Sequence, residues 1–135
     1  MRRSHLVSVL PILTVLVSSV GAFAQDMAEE RKDDLMRQLA ICESGGYGDS
    51  ERPIYGGGGS YVGRFQFTVR AVISYVREMD GRVLASGDAL LLAQDYRQAA
   101  ALAKYVIFVR GDLWNWPACG HKLRLADHVT RLKAM

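Results

Sequence analysis

The sequence predicts a small, predominantly helical α+β domain, and three observations carry that class. Apolar residues recur at helical spacing in three separate stretches: Leu35, Met36, Leu39 and Ala40; Val69, Val72, Ile73 and Val76; and Ala99, Ala100, Ala103, Val106 and Ile107. Between the first two stretches, eight glycines fall from Gly45 to Gly63. That composition excludes a helix and asks for turns or a small irregular hairpin. Cysteines stand near both ends of the pattern, at Cys42 and Cys119.

The first residues read as an export address: Met1-Arg2-Arg3 is basic, Leu6 to Val20 is apolar, and Ala22-Phe23-Ala24 has the small-x-small form of a cleavage site. Removal after Ala24 is expected, leaving one domain over 25–135; an uncleaved anchor is the alternative, and Pro11 and the serines in a short apolar run weigh against it. Loss of Arg2 and Arg3 takes Lys plus Arg from 17 to 15, against 14 Asp plus Glu. A near-neutral domain makes no electrostatic case for nucleic acid. In an exported chain, pairing of Cys42 with Cys119 is the default and two separate buried thiols the alternative.

Taken in order, residues from Gln25 to about Lys32 are polar and acidic and read as a frayed lead-in. A helix is expected from near Glu29 to Cys42, with Glu43 on its last turn before Gly45-Gly46. In the glycine-rich excursion, Ile54, Tyr55, Tyr61 and Val62 flank Gly56 to Gly59 with groups that favour packing, so a flexible linker is not expected. Thr68 is placed to cap a helix that ends near Gly81. A short helical piece spans about Asp88 to Ala93, and Asp95 with Gln98 three positions on resembles a capping box for a helix from Tyr96 to Arg110, stopped by Gly111. A non-helical aromatic turn over Leu113 to Cys119 and a last helix from about Lys122 to Lys133 complete the chain.

Four blocks in this order, Cys42-Glu43-Ser44-Gly45-Gly46, Tyr61-Val62-Gly63-Arg64-Phe65-Gln66-Phe67, the Gln98-led alanine-rich helix and Trp116-Pro117-Ala118-Cys119-Gly120, resemble the catalytic domain of resuscitation-promoting factors. More broadly the chain is similar to the lysozyme-like superfamily that includes soluble lytic transglycosylases. The resemblance covers roughly Leu35 to Gly120. It implies a small lysozyme-like fold acting on peptidoglycan glycan strands at the β-1,4 bond between N-acetylmuramic acid and N-acetylglucosamine, without a cofactor.

On that resemblance Glu43 matches the catalytic acid, a role that needs a carboxyl group kept protonated by partial burial. Gln66 matches a glutamine that would face the cleft and bond substrate or Glu43; its alternative is an amide that satisfies nearby backbone. Ser44 and Tyr61 are further substrate-binding candidates, while Phe65 and Phe67 read as core. Trp116 divides evenly between lining a subsite and packing beside the disulfide, and Trp114 has no family counterpart. Asp49 and Glu51 are the carboxylates of the excursion, yet neither lies in a recognisable motif and both read as exposed loop charges. The lack of a clear second acid tilts the chemistry from muramidase toward transglycosylase, in which the muramic 6-hydroxyl attacks its own anomeric carbon.

The loop from Tyr47 to Gly59 departs from the family pattern, and the tail from His121 to Met135 is additional, a packing or docking helix. His121 and His128 lack metal-ligand spacing with the cysteines and read as surface histidines. A monomer is expected, with room for an unidentified cell-wall protein partner. Rival readings are a wall-binding or assembly module without turnover and a secreted disulfide domain with structural duties only.

Overall fold

A computed structural model describes residues 17–47 and 52–135, with side chains from residue 20 onward. The first element, α1, runs unbroken over Val17–Glu43, so within the described residues the helix starts well before Glu29 and the polar lead-in is helical. Its charges suit that state: Lys32 pairs with Glu29 at 2.6 Å, and Lys104 from a later helix reaches both Glu29 and Asp33. Residues such as Ala28, Glu29, Glu30, Arg31 and Lys32 are also good helix formers, so the polarity does not oppose helix. Further along α1, Leu35, Met36, Leu39 and Ala40 are buried and supply its packing face. Ala22 to Ala24 lie exposed within α1; residues 1–16 of the predicted leader lie outside the described residues.

The glycine excursion is an ordered hairpin. Strand β1 (Tyr55–Gly56) pairs antiparallel with β2 (Tyr61–Val62), in the register Tyr55 to Val62 and Gly56 to Tyr61, and Gly57–Gly59 make a 3-10 turn between them. Two contacts hold it against the helices. The side-chain amide of Gln94 imitates a neighbouring strand: the Ile54 N–H donates to Gln94 Oε1 at 3.0 Å, and Gln94 Nε2 donates to the Ile54 carbonyl at 2.8 Å. Gly63, at φ 76°, brings its backbone so close to α3 that a Cβ there would sit 1.8 Å from the Ala93 carbonyl oxygen.

Three α-helices and a π-helical turn follow that block. The Thr68 hydroxyl accepts from the Ala71 N–H and caps α2 (Val69–Asp80), which ends at left-handed Gly81. Helix α3 occupies Ser86–Gln94, longer than the expected piece by about one residue or two at each end. The Asp95 carboxylate caps α4 (Tyr96–Lys104) by accepting from the Gln98 N–H at 2.9 Å. Only that arm of the capping box forms, because the Asp95 N–H goes back to the carbonyls of Leu91 and Leu92. Beyond Lys104 the expected helix continues as a π-helical turn, Tyr105–Val109, and Gly111 (φ 71°) ends it with the Asp112 N–H on the Val106 carbonyl.

The C-terminal part corrects two expectations. Pro117 starts a helix rather than prolonging the turn: α5 spans Pro117–Lys122, with proline in the first turn, where its missing N–H costs nothing. The last helix, α6, is Leu125–Lys133, separated from α5 by Arg124 in the left-handed region (φ 52°). Cys42 and Cys119 are bonded, with Cα atoms 5.9 Å apart, which ties the end of α1 to α5.

The core gathers between α1, α4 and the aromatic block after the hairpin. Trp116 is 0% exposed; its indole N–H donates to the Phe65 carbonyl at 2.8 Å, and its ring meets Phe67 edge-on at 5.4 Å. Phe65 stacks on Tyr96, and Phe67 meets Tyr75 edge-on. The Tyr75 hydroxyl donates to Asp112 and accepts from Asn115, fixing the turn that delivers Trp116.

Two stability measurements check this account. Gly58 and Gly63 share left-handed φ values, but a Cβ at Gly58 meets open space. Gly58→Ala should therefore cost about 1–2 kcal/mol of backbone strain, and Gly63→Ala at least about 2 kcal/mol more in urea unfolding. Replacing both cysteines by alanine opens a loop closed across 77 residues and should lower stability by about 4 kcal/mol in the chain-entropy model. Equal unfolding midpoints for the two glycine variants, or for the wild type and the cysteine-free chain, would contradict it.

Candidate active site

Glu43 is the last residue of α1, and the local sequence explains the break behind it. Gly45 (φ 68°) and Gly46 (φ 102°) take conformations that favour glycine, the Ser44 N–H closes on the Ala40 carbonyl, and the Gly46 N–H reaches the Ile41 carbonyl at 2.8 Å. This is a Schellman-type end, which satisfies the last carbonyls and turns the chain sharply away. The carboxylate thus projects from a rigid helix while its neighbour Cys42 is held by the disulfide.

Burial raises the Glu43 pKa above the ordinary carboxylate value, and desolvation is the cause. Among the described residues its carboxyl has no ion pair or hydrogen-bond partner that would offset this. Arg64, buried nearby in sequence to the hairpin, donates to the Gln94 carbonyl at 3.5 Å and does not contribute to the Glu43 shift. A carboxylic acid that keeps its proton upward from the usual range is a competent proton donor.

The other predicted residues differ in how open they are to a ligand. Ser44 is buried in the helix-end turn, so its side chain is not an open contact. Gln66 adopts φ 50°, uncommon for a residue with a side chain, and Nε2 donates to the Gly63 carbonyl at 2.9 Å. Its Oε1 presses on Gly56, where a Cβ would lie 1.9 Å away. Gln66 therefore satisfies its own loop, the alternative weighed for it, and makes no bond to Glu43. Left-handed strain at a non-glycine residue is held here by that two-sided fit.

Tyr61 is 47% exposed and lays its ring over Gly57, leaving the rest of the ring open at the hairpin tip. Trp116 is corrected from possible subsite to core, since the indole N–H and the ring are both committed inside the protein. Trp114, by contrast, is 88% exposed beside an apolar groove of about 440 Å³. Asp49 and Glu51 lie outside the described residues.

Several residues escaped the sequence reading. Of the four residues expected to pack around the glycines, Ile54 and Val62 are buried, whereas Tyr55 is 57% and Tyr61 47% exposed. Tyr47 is also half exposed, with the Arg52 guanidinium 5.2 Å from its ring centre. Aromatics flanking glycines were visible in the sequence, but which would face solvent depends on the strand register. Gln94 and Arg64 had no sequence signal, because their roles exist only once α3 meets the hairpin. Among the described residues no three His, Cys, Asp or Glu side chains cluster as metal ligands.

The sign of the Glu43 shift sets a stability test. A carboxyl whose native pKa exceeds its unfolded value of about 4.3 favours folding most when both states are protonated, and that benefit is lost as pH rises through the native value. Glu43→Gln removes the ionisation, so its Tm should exceed the wild type's near pH 7 and match it near pH 3.5; thermal unfolding at both pH values checks this. Comparison of the chain with protein-family models, with curated proteins and with solved structures finds no match.

Proposed function

We propose that this chain is an exported enzyme of lysozyme-like fold that cleaves the β-1,4 bond between N-acetylmuramic acid and N-acetylglucosamine in peptidoglycan, as a lytic transglycosylase. The observation that carries the reading is Glu43: a half-buried carboxyl of raised pKa, on a helix end braced by a disulfide and followed by a glycine turn. The four sequence blocks supply the substrate class by resemblance. Export is supported by the disulfide, which fits an oxidising compartment. Among the described residues no helix is long and apolar enough to cross a membrane.

In the proposed reaction, protonated Glu43 gives its proton to the glycosidic oxygen as the bond to the anomeric carbon breaks. The resulting carboxylate then takes the proton of the muramic 6-hydroxyl, whose oxygen bonds to the anomeric carbon and closes a 1,6-anhydro ring. One carboxyl serves both steps, so no second acid is required. With water in place of the 6-hydroxyl, the same acid would serve a muramidase. A second reading, a wall-binding module without turnover, is favoured by the closure of Gln66 onto Gly63, which leaves its amide nitrogen engaged.

Glu43→Gln should lower the release of muropeptides from purified sacculi by about 10²–10⁴-fold without loss of fold. Mass spectrometry of the wild-type products should find 1,6-anhydro ends; reducing ends would assign a muramidase, and binding without soluble products would assign the module. Because the acid works protonated, kcat/KM should fall on the alkaline side at a pH above that of an ordinary carboxyl, following the raised Glu43 value.

A further inference from the structure

The start of α1 is an arm without neighbours among the described residues. Every side chain from Val20 to Met27 is exposed; Ala28 is the first to be half-buried and Leu35 the first to be buried. The pair of Glu29 with Lys104 is the first polar tie between α1 and the rest of the fold. Ahead of it α1 is held only by its own backbone bonds, and a helical stretch shorter than about 12–15 residues is marginal in water when nothing packs on it. The Ala22-Phe23-Ala24 motif lies inside that stretch. It can therefore unwind into the extended form that a peptidase grips while the core stays closed.

Cutting after Ala24 makes Gln25 the first residue, and its own side-chain amide carbon then lies within five-membered-ring reach of the new α-amino group. The Gln25 side chain is exposed and has no hydrogen-bond partner among the described residues, so nothing holds it away. Its nitrogen is one of the four that a helix start leaves unbonded, and engaging it elsewhere costs α1 no hydrogen bond. The charge argues the same way. A free ammonium would stand at the positive end of the helix dipole, whereas Asp26, Glu29 and Glu30 fall in the first two turns and already complement that end.

We propose that Gln25 is a modification site, at which the exported chain begins and closes to pyroglutamate. Water hydrolyses the Ala24–Gln25 peptide bond at a leader peptidase. The α-amino nitrogen of Gln25 then attacks its own Cδ, the amide C–N bond breaks, and ammonia leaves with the proton that the amine gives up. No oxidant or reductant is consumed. The attacking amine must be neutral, and an ordinary α-amino pKa of about 7.7–8.0 supplies a neutral fraction near pH 7. The ring closes an end that the fold leaves open to aminopeptidases. This inference rests on the export proposed above and not on glycan cleavage.

The test is to produce the full chain with its leader in an exporting host, recover the folded protein outside the cytoplasm and measure its intact mass. The expected product is the chain 25–135, lighter by one ammonia than its sequence and blocked to stepwise N-terminal sequencing until pyroglutamyl aminopeptidase exposes Asp26. Gln25→Ser should be cut at the same bond but keep a free amine, and a general aminopeptidase should shorten that variant while leaving the wild type intact. A wild-type chain that starts at Gln25 and keeps its ammonia after prolonged incubation at neutral pH overturns the ring closure. A chain that starts at another residue overturns the site, and one that retains residues 1–24 overturns the export reading as well. Release of muropeptides is scored separately: an inactive chain with the ring in place counts for the site and against glycan cleavage.

Discussion

The bond between Cys42 and Cys119 begins a chain of constraints that the candidate site depends on. It fixes the end of α1 against α5, and three residues before Cys119 the Trp116 indole donates to the Phe65 carbonyl. Phe65 adjoins Gln66, whose amide closes on Gly63 and presses on Gly56 of the hairpin. One covalent link and two hydrogen bonds therefore connect the helix end bearing Glu43 to the glycine-rich hairpin. The disulfide and the indole bond join parts 77 and 51 residues apart, so neither forms cheaply until the other is in place, whereas the Gln66 bond is local.

The hairpin shows how a glycine-rich segment becomes ordered without a large core of its own. Two-residue strands supply few ladder bonds, and isolated hairpins are marginal. What adds order is the approach of Gly63 to the Ala93 carbonyl and the paired bonds between Gln94 and Ile54. Glycine at position 63 does what a larger residue would prevent, letting backbone meet backbone at the end of α3. The exposed Tyr55 and Tyr61 can then stand on a fixed frame.

Glu43 illustrates a conflict between stability and chemistry. Desolvation with no compensating partner among the described residues opposes its ionised form, the opposite of what a purely structural carboxylate would select. By contrast, Glu29, Asp33 and Asp34 of α1 and Glu78 of α2 take cationic partners. Burial without a partner separates Glu43 from these and from the exposed helical acids Asp26, Glu30 and Asp88.

The sequence by itself determined the helical periods, the Thr68 and Asp95 caps, the glycine stops at 81 and 111, and the pairing of two cysteines, because these rest on local backbone chemistry and on a count of two thiols. It also singled out Glu43 as an acid at a helix end. It misjudged the lead-in from Gln25 to about Lys32, which is helical and in which Glu29, read as merely solvated, meets Lys32 and Lys104. It left Trp116 undecided, and only the arrival of Phe65 and Phe67 made it core. Gln94 and Arg64 acquired their roles from contacts across the fold, and Gln66 from the closure of its own loop. Local propensity is written residue by residue, whereas burial and hydrogen-bond partners depend on which distant segments meet, and that was decided by the tertiary structure.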